Sequence, residues 1–129
     1  MAHAVGTFEV KMKPETLSEV ASSTVLGRMS MSKVFHGQLE ATSAGEFLSA
    51  MSSEKGSAGY VAMERVTGML DGKSGSFTLM HRGVMTRGTP ELSVTVVPDS
   101  GTEELAGISG VLKIDIVEKK HFYEFDYEL

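Results

Sequence analysis

The sequence contains no cysteine, no long apolar segment and no cluster of basic residues. Without cysteine the protein cannot form disulfides, cysteine-based zinc sites or a thiol nucleophile. No apolar run approaches the roughly 20 residues of a membrane helix, and the N-terminus lacks a basic segment followed by an apolar one. We therefore expect a soluble, cytoplasmic protein without a membrane span.

Positive charge is scarce and dispersed along the chain. The 12 Lys and Arg residues are outnumbered by 17 Asp and Glu, which gives a formal net charge of −5. Only Lys119 and Lys120 are adjacent. Because proteins that bind nucleic acid gather their basic residues into a patch or stripe, no nucleic-acid partner is expected.

The common catalytic and cofactor motifs are also missing. Gly72-Lys73-Ser74 resembles the end of a phosphate-binding loop, but the upstream glycine is Gly68 where the motif needs it at Thr67. There is no GxSxG and no HExxH motif, and the four histidines lack the local spacing of metal ligands. The sequence therefore predicts no metal and no cofactor, and it assigns no catalytic residue.

Most of the chain shows apolar residues alternating with polar ones, which is the pattern of β-strands. A chain of 129 residues fits one domain, residues 1–129, whose folding would bury about two thirds of the unfolded surface. No segment has the length and apolar stripe of a helix that could cover a sheet. The predicted strands are Val5–Met12, 24–35, 38–52, the two arms of a hairpin within 60–86, Leu92–Val97, 108–116 and 121–127.

Eight antiparallel strands without a covering helix can hide their edges in a sandwich or in a closed barrel. We favour the barrel, because eight strands enclose an interior that side chains or one small ligand can fill. We expect Gly45 to mark a bulge or bend. Ser100 and Glu103 have capping-box spacing for one helical turn that reaches Leu105. The predicted fold is all-β, an eight-stranded antiparallel barrel with at most one short helical turn.

The hairpin from Tyr60 to His81 carries the strongest turn signal and two ionisable residues, Glu64 and His81. A two-residue turn at Asp71-Gly72 pairs position 64 with 79 and 62 with 81, whereas a four-residue turn pairs 64 with 81 directly. Both registers place Glu64 and His81 on the same apolar face, which should point into the barrel. A buried carboxylate needs a hydrogen-bonding or charged partner, and a nearby histidine can supply one.

The last hairpin predicts a second set of inward-facing residues. With a two-residue turn at Glu118-Lys119, three aliphatic residues of one arm pair with aromatic side chains of the other, a favourable cross-strand arrangement. The predicted pairs are Ile116 with His121, Ile114 with Tyr123 and Leu112 with Phe125. The candidate ligand-binding residues of the interior are therefore Glu64, His81, Tyr60, Phe77 and Tyr123.

The opposite face of the hairpin carries Met63, Met69 and Met80, together with Arg65 and Arg82. The two arginines are expected to be solvated surface charges. If this face lies outside the barrel, the methionines form an exposed and adaptable apolar surface of the kind used for contacts between proteins. Self-association into a homo-oligomer is therefore expected, although methionines packed in the core remain an alternative.

Several of these residues carry a resemblance to a known family, including Glu64, Gly68, His81, Gly75-Ser76-Phe77 and Leu105-Ala106-Gly107. From about Gly6 to Leu129 the chain resembles a bacterial family of uncharacterised small proteins, which is similar in fold to plant allene oxide cyclase. The resemblance implies an eight-stranded barrel, an apolar cavity and a tendency to form oligomers. No catalytic residue of the cyclase matches a local motif of this sequence.

Three functions remain open at this point. The barrel could bind a small apolar molecule without chemistry, with Glu64 and His81 orienting a polar end of the ligand. It could be a cofactor-independent isomerase or cyclase acting on a lipid-like substrate, with the same pair moving a proton. It could also be a structural barrel with a packed interior and no ligand, in which the pair only fixes the strand register.

Overall fold

The chain folds into eight antiparallel strands that close into a barrel, with the strands arranged in their sequence order. The computed structural model describes residues 1–129. The strands are β1 Ala2–Pro14, β2 Leu26–Gly37, β3 Leu39–Met51, β4 Ala58–Leu70, β5 Lys73–Thr86, β6 Thr89–Val96, β7 Ser109–Val117 and β8 Lys120–Glu128. Pairing of β1 with β8 closes the ring, so the predicted all-β barrel is confirmed.

Two hairpins have the register that their turn residues predict. Asp71 and Gly72 form the two-residue turn between β4 and β5, with positive φ angles of 49° and 83° that match a type I′ turn. Glu64 is therefore opposite Leu79, and His81 is opposite Ala62. In the β7–β8 hairpin, all three predicted aliphatic–aromatic pairs are present.

Gly45 does not form a bulge, because the ladders on both sides of β3 continue through it without interruption. Gly45 is paired with Met31 on one side and with Glu64 on the other. A Cβ atom at this position would lie 2.9 Å from the Cα atom of Glu64. The glycine therefore permits a close approach between β3 and β4 beside the buried carboxylate.

The joint between β6 and β7 is the weakest of the ring, since Thr95 and Val111 are its only paired residues. Every other pair of neighbouring strands shares at least seven residue pairs. β6 begins at Thr89, three residues earlier than predicted, and includes Pro90. A proline is tolerated there because the side of β6 that faces β7 has only one residue pair.

The structure contains two short 3₁₀ turns, Ala21–Ser23 and Glu103–Leu105, where the sequence predicted at most one helical turn. The second turn is at the predicted place, but Ser100 does not cap it. The Ser100 hydroxyl instead donates to the carbonyl of Val97 at 2.7 Å and accepts the amide N–H of Thr78 at 3.0 Å. Neither turn has the length or apolarity of a helix that could cross a membrane.

Arg65 lies on the outer surface as predicted, but it is not simply a solvated charge. Its guanidinium donates to the hydroxyls of Ser76 and Thr78 at 2.6 and 3.0 Å and to the carbonyl of Ser100 at 2.9 Å. Arg65 therefore ties the long connection between β6 and β7 to the surface of β5.

The interior of the barrel differs between its two ends. One end, which we call the closed end, is filled by side chains that are almost fully buried, including the stacked rings of Phe77 and Phe125. Leu105, from the connection between β6 and β7, is buried with them. At the opposite end, the open end, the inward-facing side chains are only half buried or are exposed: Val10, Met12, Met29, Phe47, Tyr60, Met85, Leu92, Ile114, Ile116 and His121.

Candidate functional site

Four polar side chains are buried in the interior between the two ends. They are contributed by four neighbouring strands, Lys33 by β2, Ser43 by β3, Glu64 by β4 and His81 by β5. Each occupies an inward position of its strand because side chains alternate between the two faces. We refer to Lys33, Ser43, Glu64 and His81 as the polar cluster.

The carboxylate of Glu64 is the centre of the polar cluster. Its Oε1 atom accepts a hydrogen bond from Nε2 of His81 at 2.8 Å and one from Nζ of Lys33 at 3.1 Å. Its Oε2 atom accepts a hydrogen bond from the hydroxyl of Ser43 at 2.5 Å. The Glu64 side chain has no solvent-exposed surface, so these three neighbours replace its hydration shell.

The environment keeps Glu64 ionised. Burial by itself opposes ionisation, but the hydrogen bond from His81, the charge of Lys33 and the hydrogen bond from Ser43 together outweigh it. They hold the pKa of Glu64 below its usual value. Glu64 and Lys33 therefore form a buried ion pair.

The ammonium group of Lys33 is also in contact with aromatic rings. Its Nζ atom lies 4.7 Å from the ring centre of Phe8 and 5.7 Å from that of Phe35. The electron-rich ring faces attract a cation in this arrangement. Lys33 thus has one anionic partner and two aromatic ones, and its position in the interior is well compensated.

The imidazole of His81 has one nitrogen bonded and one free. A carboxylate has no proton to give, so Nε2 must be the donor in the hydrogen bond to Glu64. The Nδ1 atom has no hydrogen-bond partner within the protein. Because every fully buried side-chain nitrogen or oxygen has such a partner, Nδ1 cannot be fully buried. Nδ1 therefore retains contact with solvent-accessible space, and the His81 side chain is 4% exposed.

Of the five candidate residues predicted from the sequence, the structure brings two together. Glu64 and His81 are hydrogen-bonded, and Tyr60 lies at the open end, edge to face with Phe47 at 5.5 Å. Phe77 belongs to the closed end. The hydroxyl of Tyr123 accepts the amide N–H of Leu39 at 2.9 Å, also in that packed region.

Lys33 and Ser43 were missed in the sequence, although a signal for Lys33 was present. It occupies an inward position in the alternation of β2, between Met31 and Phe35. A single lysine in an otherwise apolar alternation suggests a buried acidic partner, because an unpaired buried charge is strongly unfavourable. Ser43 gave no such signal, since a small hydroxyl is tolerated on either face of a strand.

The polar cluster does not have the composition of a metal site. The structure contains no group of three or more His, Asp or Glu side chains that could hold a metal ion. Within the cluster, the single carboxylate is already engaged by a lysine ammonium. The chemistry available there is hydrogen bonding and proton transfer through His81.

The chain is similar to proteins of unknown function. A family model described as "Protein of unknown function (DUF3224)" matches residues 4–127. A crystal structure of a protein with unknown function from that family, from Shewanella oneidensis MR-1, is 49% identical to the chain. The match covers 100% of this chain and 97% of that one, with a TM-score of 0.93. No curated protein matches the chain. The predicted uncharacterised family is confirmed, and the likeness to allene oxide cyclase stays a prediction.

Proposed function

This chain belongs to the DUF3224 family, and we propose that it binds a small molecule, with an apolar body and one polar group, at the open end of its barrel. The observation that carries the proposal is that the inward-facing apolar side chains of the open end, which lie above the polar cluster, are incompletely buried. A closed, fully packed barrel would bury inward-facing side chains at both ends. Here the closed end does so, whereas the open end leaves Phe47, Tyr60, Leu92 and Ile114 partly accessible.

This arrangement has the general character of a small-molecule site. Such sites are concave and mostly apolar, with a few polar groups that fix the orientation of the ligand. In this barrel the inward-facing apolar side chains of the open end would form the walls of the site, and the polar cluster beneath them would supply the polar groups.

His81 is the member of the polar cluster best suited to contact the ligand. Glu64 has no exposed surface, and both of its oxygens are engaged. Nδ1 of His81, by contrast, has no protein partner. In the neutral imidazole it accepts a hydrogen bond, so it suits a hydroxyl group, and in the imidazolium it donates one to an anion. Glu64 would then orient the imidazole of His81 through the hydrogen bond to Nε2.

The proposal can be tested by thermal unfolding in the presence of amphipathic probes, 1-decanol and decanoate. At a free probe concentration roughly 100-fold above the dissociation constant, binding stabilises the protein by about 2.7 kcal/mol. With an unfolding entropy of about 2.1 cal/mol/K per residue over 129 residues, we expect a Tm increase of about 10 °C.

Two variants and one control locate the site. Phe47→Glu places a charge among the apolar side chains of the open end and should abolish the Tm increase. His81→Gln keeps an amide donor toward Glu64 but removes Nδ1, and should weaken the response. Met69→Glu introduces the same charge on the outer surface and should leave the response unchanged. A wild-type protein unaffected by both probes, or responses equal in Phe47→Glu and wild type, would contradict the proposal.

A second candidate function is suggested by the same free nitrogen. An imidazole that is held by a carboxylate through one nitrogen and is open at the other is the usual arrangement of a histidine general base. The barrel could thus be a cofactor-independent isomerase, in which Nδ1 of His81 removes a proton from carbon and returns it to another position of the bound substrate.

Isomerase activity is distinguishable from simple binding. A molecule that binds in the thermal assay is incubated with the protein in D₂O, and deuterium incorporation is followed by mass spectrometry. An isomerase that exchanges its proton with solvent labels the molecule, and His81→Gln should lose this labelling. Binding without labelling and without any structural isomer in the product supports the binding function alone.

A further inference from the structure

The amino group of Lys33 is a buried group with nucleophilic chemistry that the proposed binding function does not use. Lys33 is the only lysine among the buried residues of the barrel. A buried ion pair can often be replaced by apolar side chains of similar volume without loss of stability. The stability of the fold therefore does not explain why β2 has a lysine at an inward position between Met31 and Phe35.

Lys33 lies one inward position below the open end. The next inward residue of β2 toward that end is Met31, which is 9% exposed, and its partner on β1 is Met12, which is 46% exposed. Val10, which is opposite Lys33 itself, is half buried. Methionine side chains are unbranched and adapt their shape to a neighbour. The path from the open end to the Nζ atom of Lys33 therefore runs past adaptable side chains.

The neighbours of the amino group suit a cation that is covalently joined to a ligand. Oε1 of Glu64 lies 3.1 Å from Nζ, and the ring centres of Phe8 and Phe35 lie at 4.7 and 5.7 Å. A carboxylate at this distance can take a proton from the nitrogen and later return it to a leaving group. The two rings attract an iminium cation as they attract the ammonium, because the attraction depends on the positive charge.

We propose that Lys33 forms a Schiff base with an apolar aldehyde that enters through the open end. This inference rests on the proposed function, since the aldehyde must first bind there, and it adds the chemical class of the ligand. Among the side chains of the polar cluster, only a lysine amine forms an imine with a carbonyl compound.

The reaction needs no other reactant. Lys33 gives one ammonium proton to Oε1 of Glu64, and the free amine attacks the carbonyl carbon of the aldehyde. A proton of the attacking nitrogen moves to the former carbonyl oxygen, which gives a carbinolamine. Glu64 returns its proton to this hydroxyl group, which leaves as water while the nitrogen lone pair forms the C=N bond. The product is an iminium cation beside the Glu64 carboxylate, so the buried ion pair is retained.

Reductive trapping tests the proposal. The protein is incubated with equimolar decanal and sodium cyanoborohydride, and the lysines that carry a decyl group are identified by peptide mass mapping. The seven other lysines are exposed and serve as internal references. Lys33 should carry at least roughly ten times the label of any of them, because the bound aldehyde is held next to its amine.

Competition and variants establish the route to Lys33. An excess of 1-decanol, which cannot form an imine, should lower the labelling of Lys33 and leave that of the exposed lysines unchanged. Phe47→Glu should have the same effect, whereas Met69→Glu on the outer surface should be labelled like wild type. The double variant Lys33→Met/Glu64→Gln should still gain Tm with 1-decanol, but its labelling should be confined to the exposed lysines.

The outcomes separate this proposal from the binding function. If 1-decanol raises the Tm of the wild type but Lys33 is labelled no more than the exposed lysines, binding is supported and Schiff-base formation is wrong. If 1-decanol has no effect on Tm and Lys33 is not preferred, both are wrong. Preferential labelling of Lys33 that neither 1-decanol nor Phe47→Glu reduces would also overturn the proposal, because the aldehyde would not then enter through the open end.

Discussion

Replacement of Glu64 by glutamine tests whether the polar cluster is a buried ion pair that the fold depends on. Glutamine has nearly the same shape and can still bond Ser43 and His81, so the main change is the loss of one negative charge. The ammonium of Lys33, which is 4% exposed, is then left without a counter-ion. Removing one partner of a buried ion pair is destabilising by about 3 to 5 kcal/mol, because the remaining charge is not compensated.

This loss corresponds to a large change in melting temperature. With an unfolding entropy of about 2.1 cal/mol/K per residue, a chain of 129 residues should lose about 11 to 18 °C in Tm. The measurement is urea and thermal unfolding followed by circular dichroism at neutral pH. The double variant Lys33→Met/Glu64→Gln removes both charges and should lie within about 1 kcal/mol of wild type or above it.

Glu46→Gln is the matched control, because Glu46 forms an exposed ion pair with Arg28 on the outside of the same sheet. Exposed pairs contribute about 0 to 1 kcal/mol, so this variant should unfold close to wild type. If Glu64→Gln were no less stable than Glu46→Gln, or if the double variant were as unstable as Glu64→Gln, the buried charge of Lys33 would not be the cause and our reasoning would be wrong.

Three further predictions concern the same interior. Because the pKa of Glu64 is lower in the folded protein than its usual 4.5, the stability from its ionised form should be present above pH 4.5 and be lost as the pH falls through the folded-state pKa. The difference in unfolding free energy between wild type and Glu64→Gln should therefore shrink in acid, and a constant difference would contradict the assignment. Gly45→Ala should lose about 1 to 3 kcal/mol, since its Cβ would lie 2.9 Å from the Cα atom of Glu64. Gly59→Ala, whose nearest neighbour would be 3.8 Å away, is the control, and equal losses in urea unfolding would refute the explanation. Burial and the hydrogen bond to Asp71 raise the pKa of Tyr127 to about 12. Burial also raises the pKa values of Tyr60 and Tyr123. In an absorbance titration the component that ionises at about pH 12 should be absent from Tyr127→Phe, and the stabilising effect of Tyr127 should be lost as the pH rises through that value.

Much of the fold could be predicted because the decisive information is local. Asp71-Gly72 favours a two-residue turn, and once its length is known the period of two residues fixes every inward position of β4 and β5. Glu64 and His81 could therefore be placed on one face from the sequence. The pairing of the aliphatic residues of β7 with the aromatic residues of β8 was equally readable, since a short turn joins the two strands.

The remainder of the site depends on relations between strands that are distant in sequence. Lys33 reaches Glu64 across an intervening strand, and Ser43 approaches it diagonally, as the stagger of the closed barrel determines. The bulge predicted at Gly45 was wrong for the same reason, because the glycine gives space to a residue of another strand. The difference between a packed end and an open end is likewise a property of the whole ring, and no single segment encodes it.

The single residue pair between β6 and β7 has a mechanical consequence. A closed barrel can change its circumference only if neighbouring strands slide past each other or separate. Every pair of neighbouring strands except β6 and β7 is held together by at least seven residue pairs. The joint at Thr95 and Val111 can widen toward the open end while the other ladders stay intact. The width of the open end therefore depends on the pairing of β6 with β7, and under the proposed function this is where a bulky ligand would separate the strands while the closed end keeps its shape.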